Sequence, residues 1–360
     1  MKHLLVVAAG TGGHVMPGLA VAGELRSRGW TVSWLGTREG MERSLVEPRG
    51  IEFDALDFSG LRGKGFKALL FGGFHLLRAF WQSRAVMRAR RPSLVFSTGG
   101  YVAVPAGLAA SLRGAPLALL NADVAPLLST KMLRSLASAV FCGFDGDAAR
   151  LAGDRGLVTG NPVRDEIARM PAPEERYAQR QGPLNLLVIG GSLGAQALNQ
   201  LLPPALAKLD ANACPRVVHQ CGASNIETTR AAYAALRIDA EVIPFIDDIA
   251  ARYAAADVVV CRAGAITVTE LCVVGVASIL VPFVVSTTAH QRTNAEFLAR
   301  QGAAIHIAQD ELSADRLAEL FHSLTRVQLN DMARKARGLA RPNATRVVAD
   351  AIEHIAAEAA

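Results

Sequence analysis

Residues 3–37 read HLLVVAAGTGGHVMPGLAVAGELRSRGWTVSWLGT, and residues 185–222 read NLLVIGGSLGAQALNQLLPPALAKLDANACPRVVHQCG. Each opens on an apolar run too short for a helix and enters a glycine-rich turn. Each then continues with helical spacing and returns to a second apolar run. The first stretch therefore predicts a strand, the turn TGGH, a helix from about Pro17 to Arg28 and the strand TVSWLG. The second predicts a strand, the turn SLGA, a helix from about Gln196 to Leu209 and the strand RVVHQCG. Both are βαβ units, and their recurrence predicts an α/β protein of two doubly wound domains in tandem.

The length agrees, because 360 residues exceed what a single core ordinarily organises. Between the two units, Pro162, Pro171, Pro173 and Pro183 punctuate a polar stretch suited to a linker. The boundary is accordingly set near Pro162, giving domains over residues 1–162 and 163–341. Residues 342–360 have helical spacing after Arg341-Pro342. They predict a last helix packing back on the N-terminal domain, although spacing alone leaves the other domain open.

A composition of 51% hydrophobic and 19% charged residues excludes a disordered or fibrous chain. The first apolar run meets glycine within ten residues and lacks a cleavage site, so it reads as a buried strand rather than a signal peptide or anchor. The uncharged stretch from Leu271 to Ala289 is broken by Gly275, Pro282 and the Ser/Thr group at 286–288, so no transmembrane segment is expected. The cysteines Cys142, Cys214, Cys221, Cys261 and Cys272 are odd in number and scattered, which suits reduced thiols in a cytosolic protein. The net charge of +6 is modest and does not suggest nucleic acid, yet the stretch from Leu61 to Arg91 holds eight basic residues and no acid. An anionic partner there follows.

In an open α/β sheet, ligands collect beyond the carboxyl ends of the strands, where glycine turns let backbone N–H groups face an anion. Two such turns suit a diphosphate. The first is not the dinucleotide fingerprint, because Val15 stands where a third glycine is required, and no P-loop sequence occurs. His14 sits where that turn enters its helix and titrates near neutrality, which suits a general base. A phosphate contact or a helix-start hydrogen bond is the alternative. Glu270, placed in the first turn of a helix after the turn Arg262–Ala265, can accept both ribose hydroxyls or merely complement the helix dipole. The segment GGSLGA at 190–195 is a phosphate nest or an ordinary strand-to-helix turn.

Taken in order, AAGTGGHVMPGLAVAGEL, WLGT, SGLRGKGFKALL, STGGYVAVPAGLAA, TGNPVR, GGSLGAQALN, FIDDIAARYAAADVVVCRAGAITVTEL and HQRTNAEFL span nearly the whole chain. The chain resembles the MurG family of glycosyltransferases, which add N-acetylglucosamine from UDP-GlcNAc to lipid I in bacterial peptidoglycan synthesis. The resemblance implies a GT-B fold, two Rossmann-like domains facing across a cleft, with UDP-GlcNAc held mainly by the C-terminal one. It also implies an inverted, β-1,4-linked product, lipid II. Matched position by position, Thr11, Gly12 and Gly13 would face the diphosphate and acceptor, with His14 as base. Arg164 and Ser192 would contact the sugar donor, and Ile246 would lie against uracil. Ala265, Ile266, Thr267, Val268, Thr269 and Glu270 would wrap the nucleotide, with Glu270 on the ribose, and Gln291 would bind sugar hydroxyls. Two segments depart from the family pattern. Where it reads HEQN this chain has Leu120, Asn121, Ala122 and Asp123, so the sugar contact falls to Asp123. Where it often reads a loop like PHAVDD, residues 284–289 are VVSTTA.

No Asp-x-Asp cluster with metal-ligand character stands out, so the expected mechanism requires neither a divalent cation nor another cofactor. Within the basic stretch, Leu70, Phe74, Leu77 and Trp81 recur at helical spacing. Spacing alone suits a core helix with a solvated edge. The resemblance implies instead a face docking on an anionic membrane that presents the lipid-linked muramyl-peptide acceptor. It places the protein peripherally on the cytoplasmic face of the bacterial cell membrane, with partners among cell-wall synthesis proteins. A nucleotide-sugar epimerase of similar architecture and a non-catalytic nucleotide-sugar-binding protein are the alternative functions.

Overall fold

The structure, a computed structural model, describes residues 2–10, 12–58, 65–178, 180–191, 194–210, 212–283 and 289–359, with backbone alone for 65–72. The chain divides into two compact units, Met1–Arg164 with Arg341–Ala360, and Asp165–Ala340.

Unit 1 begins with β1 (His3–Ala8), α1 (Gly12–Ser27), β2 (Thr31–Thr37), α2 (Glu42–Val46), β3 (Glu52–Leu56), α3 (Gly65–Arg90) and β4 (Leu94–Gly99). It continues with α4 (Ala103–Arg113), β5 (Leu117–Asn121), α5 (Leu128–Leu133), β6 (Ala139–Cys142), α6 (Asp147–Ala152) and β7 (Gly156–Val158). Its sheet runs β3-β2-β1-β4-β5-β6-β7, with parallel pairing throughout.

Parallel strands covered on both faces are apolar at every position, and β1 shows how that composition is used. Leu4, Val6 and Ala8 join one core with Val15 and Leu25 of α1. Leu5 and Val7 join another with Ala79 and Met87 of α3 and Ala106 and Ala110 of α4. The alternation is the pleat itself.

Unit 2 comprises α7 (Asp165–Ala168), α8 (Pro173–Ala178), β8 (Asn185–Ile189), α9 (Gln196–Leu206), β9 (Arg216–Gln220), α10 (Ile226–Ala235), β10 (Ala240–Ile243) and α11 (Ile249–Ala255). Then follow β11 (Val258–Cys261), α12 (Ala265–Val274), β12 (Ala277–Leu280), α13 (His290–Arg300), β13 (Ile305–His306), α14 (Ala314–Ser323) and α15 (Arg326–Gly338). Its parallel sheet runs β10-β9-β8-β11-β12-β13. Both sheets thus place their first strand beside their fourth and reverse direction there, between β1 and β4 and between β8 and β11. Such a reversal opens a crevice beyond the strand ends.

The last helix, α16 (Ala344–Glu358), returns to unit 1. Val348 and Ile352 enter the core around α1. Glu353 accepts from Trp30 Nε1 at 2.9 Å, and Arg28 bonds both Glu353 and Asp350.

Two helix ends differ from expectation. The first helix begins at Gly12, so Pro17 lies inside it and TGGH is largely its opening turn rather than a loop. Proline ordinarily favours the first helical position because it lacks an N–H. At the sixth position it leaves the Gly13 carbonyl without its helical partner, which is tolerable because Gly13 is exposed. Helix α9 stops at Leu206, three residues early, after Pro203 and Pro204. Burial pushes the Cys142 thiol up to about 11 and those of Cys261 and Cys272 up to about 12, as inert structural thiols. Among the described residues no helix is long and apolar enough to cross a membrane.

Candidate active site

At the reversal point of unit 1, the turn after β1 leads to His14 and the segment Ser97–Gly100 ends β4. His14 Nδ1 lies 2.9 Å from the Thr98 carbonyl oxygen. A carbonyl only accepts, so Nδ1 carries the proton and the neutral ring keeps its basic lone pair on Nε2. The buried Thr98 hydroxyl donates in turn to the His14 carbonyl at 2.6 Å. Gly99 admits the ring: a Cβ there would fall 2.8 Å from Nδ1, on a backbone with φ of +113°. On the other edge, a Cβ on Gly10 would sit 4.0 Å from His14 Cδ2, in ordinary contact distance. The imidazole is therefore fixed in tautomer and bracketed by two glycines. Gly12 and Gly13 form the first helical positions, where N–H groups have no partner within the helix. Thr11 lies outside the described residues.

Behind this turn sits Glu42, fully buried at the start of α2. Oε1 accepts from Thr37 N at 2.8 Å and Thr37 Oγ1 at 2.6 Å, and Oε2 accepts from Gly10 N at 3.3 Å.

The segment after β5 is organised by Asn121, which is also fully buried. Its Nδ2 donates to the carbonyls of Asp123 and Ala125, and its Oδ1 accepts from Leu127 N and the Thr130 hydroxyl. Asp123 is half-buried in the loop so formed. Asn161, deep in TGNPVR, donates to Ala122 O at 2.9 Å and ties the same loop to the end of unit 1, where Arg164 stands half-buried.

At the reversal point of unit 2, α12 begins at Ala265, directly after the strand β11 and the residues Arg262–Gly264. Ala265, Ile266 and Thr267 are half-buried, whereas Val268 is in the core with its N–H on Gly264 O. Thr269 turns its hydroxyl back to Ala265 O. Glu270 is the sixth residue of α12, in its second turn rather than its first, and is 8% exposed. A buried second-turn acid lies beyond the reach of the dipole's terminal charge, so the dipole role fails. The Tyr253 hydroxyl reaches Glu270 Oε2 at 3.4 Å.

Gln291, in the first turn of α13, accepts from Phe283 N at 2.9 Å, and Asn294 from the same helix donates to Ala263 O. Burial lowers the Arg262 guanidinium, which lies over the Phe283 ring and donates to Val281 O. Ile246 is buried while its neighbour Phe245 is exposed, and Asp248 caps α11. Ser192 lies outside the described residues, but Gly191 beside it is clamped by Gln220. That amide accepts from Gly191 N at 3.0 Å and donates to Gly191 O at 2.7 Å and Pro244 O at 3.2 Å. One side chain thus joins Gly191 to Pro244, on the segment carrying Ile246.

His219 meets the Tyr233 hydroxyl through Nδ1 and, through Nε2, Asn199 Oδ1, an oxygen that only accepts. Nε2 therefore carries the proton and Nδ1 accepts from Tyr233. Burial holds His219 down at about 4. A cavity of about 870 Å³ opens elsewhere in unit 2, lined by Asn185, Arg216, Asp239 and Arg252. It lies toward the amino ends of the strands and contains none of the expected site residues, so its size carries no functional weight.

The residues that sequence reading missed are Thr98, Glu42, Asn121 and Gln220. For Thr98, Asn121 and Gln220 the signal is a polar residue inside an apolar strand, whereas Glu42, at the start of α2, carries no such signal.

A family model described as the glycosyltransferase family 28 N-terminal domain matches residues 4–142, and the C-terminal domain of the same family matches 185–355. The UDP-N-acetylglucosamine–N-acetylmuramyl-(pentapeptide) pyrophosphoryl-undecaprenol N-acetylglucosamine transferase of Methylibium petroleiphilum is 55% identical over 98% of both chains. The protein of that name from Chromobacterium violaceum is 54% identical over 99% of both. The crystal structure of Acinetobacter baumannii MurG superposes with a TM-score of 0.83 at 38% identity, covering 98% of this chain and 100% of that one. A UDP-GlcNAc 2-epimerase from Neisseria meningitidis, covering 98% of this chain and 100% of its own, shares only the fold, with a TM-score of 0.67 at 15% identity. The two doubly wound units are thus a GT-B-like fold, and the chain belongs to glycosyltransferase family 28, among its MurG-type N-acetylglucosamine transferases.

Proposed function

We propose that this chain transfers N-acetylglucosamine from UDP-GlcNAc to the 4-hydroxyl of the muramyl sugar of lipid I, with inversion, and so makes lipid II. The observation that carries the mechanism is the bond from His14 Nδ1 to Thr98 O, which leaves Nε2 as the basic nitrogen. The acceptor oxygen attacks the anomeric carbon, its proton passes to His14 Nε2, and the bond from that carbon to the diphosphate oxygen breaks. UDP leaves with the electron pair. The N–H groups opening α12 stabilise the charge it gains. Glu270 holds the ribose, Gln291 the sugar hydroxyls and Ile246 the uracil, while Arg164, Asp123, Thr11 and Ser192 complete the contacts.

Access to a lipid-linked acceptor is supported by α3. Phe74, Leu77 and Trp81 are 66%, 55% and 58% exposed, with Arg78 and Arg84 among them. A core helix does not leave its large apolar side chains in water, so this face serves as a peripheral dock on an anionic membrane surface. Leu70 belongs to the same spacing, but its side chain lies outside the described residues.

The test is turnover of UDP-GlcNAc with and without a lipid-linked muramyl-peptide acceptor. Acceptor-dependent release of UDP with the disaccharide as product is expected. Turnover without acceptor to a free sugar would establish an epimerase instead, and binding without turnover a nucleotide-sugar-binding protein.

A further inference from the structure

We propose that Glu42 is a positioning residue for the transfer, its carboxylate fixing the glycine turn against which the His14 ring packs. The inference rests on His14 being the base. The carboxylate is fully buried, and its oxygens are met by Gly10 N, Thr37 N and the Thr37 hydroxyl. Thr37 Oγ1 has one proton and gives it to Glu42, so the Tyr101 hydroxyl, 3.3 Å away, donates to Thr37. A single carboxylate thereby ties the end of β1, the end of β2 and, through Thr37, the segment after β4; the first and last of these flank the imidazole.

Burying a carboxylate is costly unless its lone pairs are met. The surroundings are also shaped for it. A Cβ on Gly40 would fall 2.0 Å from Glu42 Oε2, so the residue two before Glu42 leaves the space its carboxylate occupies. The consequence for chemistry runs through Gly10, whose N–H the carboxylate holds and whose Cα lies beside His14 Cδ2. The Thr98 carbonyl fixes one nitrogen of the ring, and the turn held by Glu42 fixes where its edge rests.

Glu42→Gln separates these roles. A glutamine oxygen can keep the Thr37 bonds, but its NH₂ then meets the Gly10 N–H, donor against donor; flipping the amide moves the clash to Thr37 N. Displacement of a catalytic group by an ångström costs up to about a hundredfold in rate, so kcat should fall by about tenfold to a hundredfold. UDP affinity by titration should change far less than kcat, because the proposed uracil and ribose contacts, Ile246 and Glu270, belong to the other unit. In a His14→Ala background the same substitution should add no further loss, since the two act as one device. Gly40→Ala, which leaves Glu42 chemically intact but displaces its carboxylate, should reproduce the loss of kcat. That variant decides the matter if Glu42→Gln does not fold. Unchanged kcat in both variants, or an equal fold-loss with and without His14, overturns the proposal and leaves the base reading standing. Unchanged kcat in His14→Ala overturns the base reading, and the positioning role with it.

Discussion

The two reversal points are built on the same strand order and put to different uses. In unit 1 the crevice is lined by an imidazole held on a carbonyl, with a buried carboxylate behind the turn. In unit 2 it is lined by the first turn of α12 and by side chains that brace backbone, Gln220 on Gly191 and Asn294 on Ala263. On the proposed mechanism, one supplies a group whose protonation changes during reaction. On the same proposal, the other supplies fixed dipoles and a ribose contact whose charge need not change. The fold dictates where a site forms, and the few polar side chains at each strand end decide whether it reacts or merely holds.

The sharpest way to break this contrast is His14→Ala. General-base catalysis supplies about 10²–10⁴-fold, so kcat should fall by roughly that factor while UDP affinity stays the same. A variant that loses UDP binding instead would make His14 a phosphate contact.

The opposite result is expected from Glu270→Ala. Loss of a hydrogen bond to a charged group weakens binding by about 1.5–3 kcal/mol, which calorimetric titration with UDP would read directly. Equal affinity in the two proteins would leave the buried carboxylate as a structural partner of Tyr253.

Acid should also act on unit 2 first. An unfolded chain protonates His219 as pH falls below about 6.5, whereas the folded unit resists until about 4. The unfolded state binds more protons in that window, so stability present above pH 6.5 is lost as pH falls toward 4. From pH 7 to 5 the loss is roughly 2 kcal/mol. Trp30, Trp34 and Trp81 all belong to unit 1, so their fluorescence follows that unit while circular dichroism follows both. At pH 5 the urea transition seen by circular dichroism should precede the fluorescence transition, and His219→Gln should narrow the gap. Coincident transitions at pH 5 would remove His219 as the cause.

The smallest effect concerns α3. Replacing Phe74 and Trp81 with Ser should lower binding to anionic vesicles, and activity on the natural lipid acceptor, more than activity on a soluble short-chain acceptor. Salt should weaken the wild-type binding, because basic residues near such a surface contribute about 1 kcal/mol each and are screened beyond about 10 Å at 0.1 M salt. Equal loss on both acceptors would place the docking surface elsewhere.

The α/β architecture was legible because buried parallel strands are continuous apolar runs, and LLVVAA and NLLVI read as such without any partner in view. His14 and Glu270 were legible as types at strand ends, but their settings were not. Pro17 masked the true start of α1, and Glu270 read as a first-turn residue of its helix although it stands in the second. Thr98 and Gln220 escaped because their partners lie 84 and 24 residues away, and Glu42 because its bond to the Gly10 turn spans 32 residues although Thr37 is near in sequence. Local periodicity carries no information at that range. Only the strand order, which sets β4 beside β1 and brings the segment after β10 near β9, gives those polar residues their meaning.

The return of α16 to unit 1 bears on how the molecule is made. Arg28 and Trp30 emerge from the ribosome early, yet the carboxylates of Asp350 and Glu353 that receive them come after all of Asp165–Ala340. At about 5–20 residues per second, the apolar groove along α1 waits some tens of seconds for Val348 and Ile352. During synthesis the unit proposed to hold the nucleotide can close before the unit proposed to carry the base, and on that proposal a nascent chain would bind its sugar donor before it could spend it.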